Sequence, residues 1–178
     1  MPRDSRFLTL ILRHRPDLIG IELDKAGWAD IGQLLRALKR HGRSLSRTQL
    51  EEIVFADNKT RFTVSPDGTR IRAAQGHSLP LDLGLSPMLP PVTLYHGTAR
   101  HSLDAIFAEG LLPGRRQFVH LSKDVVTAVT VGARHGKAVV LTVNCAAMAA
   151  EGHAFVRADN GVWLTSAVPA RFLGFAPT

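Results

Sequence analysis

Apolar and polar positions follow two styles along this chain. In the first half Phe7, Leu8, Ile11 and Leu12 share one helical face, and Pro16 stops that helix soon after Arg13 and His14. Ile31, Leu34, Leu35 and Leu38 repeat the spacing and predict a second helix ending near Gly42. A third begins at Ser46, where Ser-x-x-Gln fits a capping box, and runs on through Leu50, Ile53 and Val54. Residues 61–64 and 69–73 then flank the turn Ser65-Pro66-Asp67-Gly68 and read as a β-hairpin. Three helices followed by a hairpin suggest a winged-helix module.

The second half changes to short β-branched runs at 92–95, 118–121 and 139–143. Asn160-Gly161, set between 153–158 and 162–165, signals a two-residue hairpin. Helices are predicted around 102–109, closed by Gly110, and around 124–134, closed near Gly136. This half is α+β with mostly antiparallel strands. Residues 74–91 hold Pro80, Pro87, Pro90 and Pro91 without a sustained pattern, and read as a linker. The expected organisation is a lobe at 1–73, the linker, and a lobe at 92–178.

With 178 residues, 45% hydrophobic and 21% charged, the chain can bury a real core. The longest nearly apolar stretch, 138–150, is interrupted by Thr142 and Asn144 and falls short of the ~20 residues a membrane span needs, so no span is expected. Only residues 7–12 separate the first charges from Arg13, too few for a signal-peptide core, and a cytoplasmic location is expected. Cys145 is the single cysteine and sits among apolar neighbours, which predicts a buried thiol. The net charge is +7, and 17 of the 22 basic residues are arginine, the side chain suited to two-pronged phosphate contacts. Arginine-rich codon usage accounts for that bias equally well.

Familiar nucleotide signatures are missing: no Gly-x-x-x-x-Gly-Lys-Ser/Thr, no Gly-x-Gly-x-x-Gly and no His-Glu-x-x-His. The five glutamates form no Glu-x-Glu pair, and the eight histidines lack metal-ligand spacing, so no metal is expected. What remains is Arg and His beside turns and strand ends, each with a plain structural reading as well. Arg13 and His14 complement the dipole of the helix they end. Arg61 opens a strand, where most arginines are merely solvated. Tyr95-His96-Gly97-Thr98 closes a strand on a glycine, which lets backbone amides approach a ligand or simply makes a turn. Beyond Arg116, alternation turns Val119 and Leu121 one way and His120 and Ser122 the other.

Taken together and in order, these elements are specific. Leu12-Arg13-His14-x-Pro16 with Gly20, Asp24 and Gly27-Trp28; Asn58-Lys59-x-Arg61-Phe62; Leu94-Tyr95-His96-Gly97-Thr98; Gly110-Leu111 leading to Arg116-x-x-Val119-His120-Leu121-Ser122; Arg134-His135-Gly136; and Asn160-Gly161-Val162-Trp163-Leu164-Thr165 resemble the NAD-dependent RNA 2′-phosphotransferase family over nearly the whole chain. Arg6, Thr9, Gly114 and Phe118 depart from its usual lysine, serine, methionine and histidine.

The resemblance implies an N-terminal winged-helix RNA-binding lobe and a C-terminal lobe of the ADP-ribosyltransferase fold. It implies as substrates NAD and an RNA carrying an internal 2′-phosphate. The small size and two-lobe plan suggest a monomer. The phosphate attacks the anomeric carbon of the nicotinamide ribose and expels nicotinamide; the ribose O2″ then attacks phosphorus, freeing the RNA 2′-hydroxyl and ADP-ribose 1″,2″-cyclic phosphate. By resemblance Arg13, Arg61 and Arg116 stabilise charge on the phosphoryl oxygens and His14 is the essential histidine, whose imidazole is suited to proton transfer in the second step. His96, Gly97, Thr98, His120, Leu121, Ser122 and Arg134 bind NAD, whereas Trp163, in a hairpin strand, reads as structural. Two other readings stay open: a mono-ADP-ribosyltransferase acting on protein or nucleic-acid ends, opposed by the missing Glu-x-Glu, and a winged-helix DNA-binding regulator with a ligand-sensing domain.

Overall fold

Helical periodicity becomes helix where the apolar face has something to pack on. In this computed structural model, which describes residues 3–57 and 60–176, the chain forms an α+β protein whose strand pairs are all antiparallel. It divides into two units, 1–84 and 85–178.

In the first unit α1 (Arg3–Arg13), α2 (Ile31–Arg40) and α3 (Arg47–Phe55) lie where the periodicity predicts them. Both halves of the capping box at Ser46 form: Gln49 N–H donates to the Ser46 hydroxyl, and the Gln49 side chain accepts from Ser46 N–H. The predicted hairpin is β2 (Phe62–Val64) and β3 (Arg70–Ala73), in the register Thr63 opposite Arg72. A two-residue strand, β1 (Ala29–Asp30), pairs with the outer side of β3, giving the order β1-β3-β2. Leu8, Ile11, Leu12, Leu34, Leu38, Leu50 and Ile71 form one buried core.

The division at residue 84 falls inside the expected linker, 74–91. Ala74, His77 and Leu83 are buried, Ala74 N–H donates to Arg61 O, Ser78 N–H to Arg13 O and Asp82 N–H to Lys25 O. Residues 74–84 are thus packed on the first unit, with Pro80, Gly76 and Gly84 shaping an ordered strap.

In the second unit β4 (Thr93–Ala99) pairs along its whole length with β6 (Ala138–Asn144), and β6 pairs in turn with β9 (Leu173–Phe175). A second sheet has the order β5-β8-β7, from Val119–Leu121, Trp163–Thr165 and Val156–Arg157. Tyr95 and Ser122 exchange both backbone hydrogen bonds, at 2.9 and 2.8 Å, and tie β4 to the end of β5. The helices are α4 (Leu103–Glu109), α5 (Val125–Gly132) and α6 (Cys145–Ala150). α6 was hidden in an apolar run that reads equally well as strand; the Asn144 side chain accepting Ala147 N–H starts it. Among the described residues no helix is long and apolar enough to cross a membrane.

Two expectations need correction. His96-Gly97-Thr98 does not close its strand, because β4 continues through Ala99 with Gly97 paired to Val140. The hairpin at Asn160-Gly161 has more than two loop residues: Ala158 N–H bonds to Val162 O and Gly161 N–H to Ala158 O, with Gly161 at φ +80°. The loop is the three residues 159–161, a turn from Ala158 to Gly161 whose last residue is a left-handed glycine, the next most common hairpin closure.

Candidate functional site

Helix α1 ends at Arg13 because Pro16 cannot continue it, and this leaves Arg13 and His14 at the mouth of the first unit's core. The strap then crosses them. Ser78 N–H donates to the Arg13 carbonyl at 3.1 Å, and Ser78 Oγ lies 3.0 Å from His14 Nδ1. Gly76 has φ +87°, and a Cβ there would stand 3.2 Å from Arg13 Nη1, so the guanidinium lies against bare backbone.

Arg61 is placed by Asp57. The Asp57 carboxylate accepts from the Arg61 backbone N–H at 2.6 Å and forms an ion pair with the Arg61 guanidinium. Its side chain is 2% exposed against 20% for Arg61, so the ion pair is largely withdrawn from water. Asn58 and Lys59 of the same motif lie outside the described residues. Arg61 O in turn accepts from Ala74 N–H, so Arg61 and the Arg13-His14 pair are tied to the two ends of one short segment, 74–78.

Beneath the strap lies His77, 2% exposed, with neither ring nitrogen hydrogen-bonded. Burial, together with the charges of Arg13, His14 and Arg72, lowers its pKa to about 4. A folded-state value below the ordinary 6.5 means that the unfolded chain binds more protons between those limits, so folding stability is full above pH 6.5 and is lost as pH falls toward 4. The expected loss is on the order of 3 kcal/mol. Urea midpoints of wild type and His77→Gln compared from pH 7 to 4 should show the wild type falling more steeply; parallel curves would disprove it.

In the second unit His96, His120 and Arg116 come together. The His96 Nδ1–H donates to the His120 carbonyl at 3.1 Å, and burial is the main cause of a lowered His96 pKa, so this ring is held neutral with its proton on Nδ1. Arg116 Nη1 donates to His120 Nδ1 at 3.3 Å, which requires that nitrogen to be unprotonated. Burial and the nearby Arg134 both lower the pKa of Arg116. Among the described residues neither arginine pairs with a carboxylate, so two cations share a neighbourhood that an anion would stabilise.

The remaining candidates divide by burial. Leu121 is in the core with Val119, leaving only its backbone to a ligand, while His120 faces the other way as the alternation predicts. Thr98 is buried, and Ser122 is engaged through its backbone with Tyr95. Gly97 has its Cα face closed by α5: a Cβ would collide with the Ala128 carbonyl and stand 2.9 Å from Gly132 N. Packing alone therefore demands glycine there. Trp163 is buried in the core, as is Cys145, whose thiol burial raises to about 11. Sequence reasoning missed Asp57, His77 and Ser78. Their only signal was a Gly-His-Ser run amid prolines, and an acidic residue four positions before Arg61. Among the described residues no three His, Cys, Asp or Glu side chains group as a metal site would.

The sequence model of the family described as RNA 2′-phosphotransferase, Tpt1 / KptA family, matches residues 2–167. A protein of Agrobacterium fabrum named "Probable RNA 2′-phosphotransferase" is 53% identical over 169 residues, covering 95% of this chain and 91% of its own. One of Hahella chejuensis with the same name is 51% identical over 174 residues, covering 98% and 94%. Another, of Acaryochloris marina, is 49% identical over 168 residues, covering 94% and 93%. Since the matched span takes in Arg13, His14, Arg61, Arg116 and all the other candidates, this chain belongs to the RNA 2′-phosphotransferase, Tpt1 / KptA family.

Proposed function

We propose that this enzyme removes an internal 2′-phosphate from RNA by transferring it to NAD, releasing nicotinamide and ADP-ribose 1″,2″-cyclic phosphate. Family membership across residues 2–167 carries the reading. The chemistry of the placed side chains agrees with it. In the first step the nucleophile is already an anion, so alignment and charge are what the protein must supply, and the lack of a paired glutamate motif costs nothing. A neutral His96 with a bare Nε2 suits a ribose hydroxyl, and the Arg116-Arg134 neighbourhood suits the phosphates.

In the second step O2″ attacks phosphorus, its proton leaves, and the RNA 2′-oxygen departs and gains a proton. Negative charge builds on the phosphoryl oxygens, where Arg13, Arg61 and Arg116 stabilise the transition state more than the ground state. His14 is the proton carrier, since imidazole titrates nearest neutrality. His96, Gly97, Thr98, His120, Leu121, Ser122 and Arg134 are assigned to NAD, with Gly97 and Leu121 contributing backbone only. Three helices with a β1-β3-β2 sheet support a winged-helix reading of the first unit, and the β4-β6-β9 and β5-β8-β7 sheets an ADP-ribosyltransferase-type reading of the second.

The test is direct. Incubation with NAD and a short RNA bearing one internal 2′-phosphate should yield the cyclic phosphate, nicotinamide and 2′-hydroxyl RNA. Folded protein that binds NAD and RNA yet makes no cyclic product would refute the proposal.

A further inference from the structure

The strap at 76–78 is the most constrained feature that the proposed reaction leaves without a task. Its middle residue, His77, is buried under Arg13, His14 and Arg72, while Gly27, Leu81 and Leu83 crowd together at the same place: a Cβ on Gly27 would stand 3.6 Å from His77 Nε2, 3.2 Å from Leu81 and 3.6 Å from Leu83. Such a ring anchors the backbone on either side of it. Before it, Gly76 offers bare backbone to the Arg13 guanidinium; after it, Ser78 closes two contacts on consecutive residues, its N–H to Arg13 O and its hydroxyl to His14 Nδ1.

An imidazole at the end of a helix can occupy several rotamers. A hydroxyl 3.0 Å from one nitrogen, on a residue whose backbone N–H is itself bonded, favours one ring orientation and serves either tautomer by donating or accepting. Resting on the reading that His14 moves a proton in the second step, we propose that Ser78 is a positioning residue of the transfer reaction, anchoring His14 through Nδ1 so that the proton is exchanged with the substrate through Nε2. In that step the proton of O2″ and the proton gained by the RNA 2′-oxygen balance, and Ser78 itself neither gains nor loses one. Ser78 is exposed in this structure, so the contact is strongest when RNA excludes water from it.

Single-turnover reactions of the full chain with NAD and a 2′-phosphorylated oligonucleotide separate nicotinamide release from consumption of the RNA-2′-phospho-ADP-ribose intermediate. For Ser78→Ala, consumption should slow about tenfold, the worth of one hydrogen bond, with nicotinamide release within about twofold of wild type. Ser78→Thr, which keeps the hydroxyl, should restore the rate. Nitrogen-15 NMR of the His14 ring in the free protein supplies a readout that does not depend on turnover: Ser78→Ala should shift the Nδ1 signal, which loses its hydrogen bond, and Ser78→Thr should not. Equal slowing of both steps, or ring signals unchanged by Ser78→Ala, would overturn the proposal. If wild type itself formed no intermediate, the activity reading would fall, and the NMR comparison would still decide whether Ser78 anchors His14.

Discussion

His14→Ala is expected to stop the reaction halfway. Nicotinamide should be released at close to one equivalent per RNA, the RNA should carry a stable ADP-ribose on its 2′-phosphate, and cyclic phosphate should form about 10²–10⁴ times more slowly than in wild type, the usual worth of a positioned acid–base group. The asymmetry follows from where protons move. The phosphate that attacks the nicotinamide ribose needs no base and nicotinamide leaves as a neutral ring, so no proton is in flight. The transesterification must deprotonate O2″ and protonate the departing 2′-oxygen, and only there does an imidazole lower the barrier. Arg116→Ala should leave the same ADP-ribosylated RNA and slow cyclic-phosphate formation by about 10²–10³, if its guanidinium stabilises charge on the phosphoryl oxygens as proposed. Mass spectrometry of the RNA detects the accumulated intermediate in both variants. If His14→Ala blocked nicotinamide release instead, its role would lie in the first step or in orienting the phosphate.

How much of this was legible in the residues depended on whether a feature was local. α1, α2 and α3 announced themselves because a buried stripe on a helix recurs within a few residues, and the capping box at Ser46 is a four-residue pattern satisfied by its own backbone. The elements that escaped notice owe their form to distant partners. β1 has two residues and exists because β3 offers it an edge. The strap 74–84 looks like linker since nothing periodic runs through it, yet its order comes from bonds to Arg13, Lys25 and Arg61, which no local pattern records. The site divided the same way. Arg13, His14, Arg61 and Arg116 stood in recognisable motifs, whereas Ser78 reaches His14 across 64 positions of sequence. Gly97 carries two readings: a glycine between a histidine and a threonine invites a ligand-approach reading, and the structure adds a packing one.

Gly97→Ala should therefore be among the most destabilising single-methyl changes available in this protein. Its Cβ would fall on the Ala128 carbonyl and crowd Gly132 N at 2.9 Å, all backbone atoms of α5 that no side-chain rotation can clear. The crowding is reciprocal, since a Cβ on Gly132 would stand 2.7 Å from Thr98 O and 3.0 Å from Thr98 N. Relief requires α5 to back away from β4, opening the seam along the strand that carries His96. Overpacking a core with one methyl usually costs about 1–3 kcal/mol, and with backbone on the far side the cost should exceed about 3 kcal/mol. Gly20→Ala is the matched control: φ is +66° there, but nothing lies within 4 Å of the new Cβ, so only the left-handed backbone is penalised, at about 1 kcal/mol. Urea denaturation of the two variants should give a clear difference in midpoint. If Gly97→Ala cost no more than Gly20→Ala, the β4–α5 seam would have slack, and the glycine would have to be explained by approach to a ligand after all.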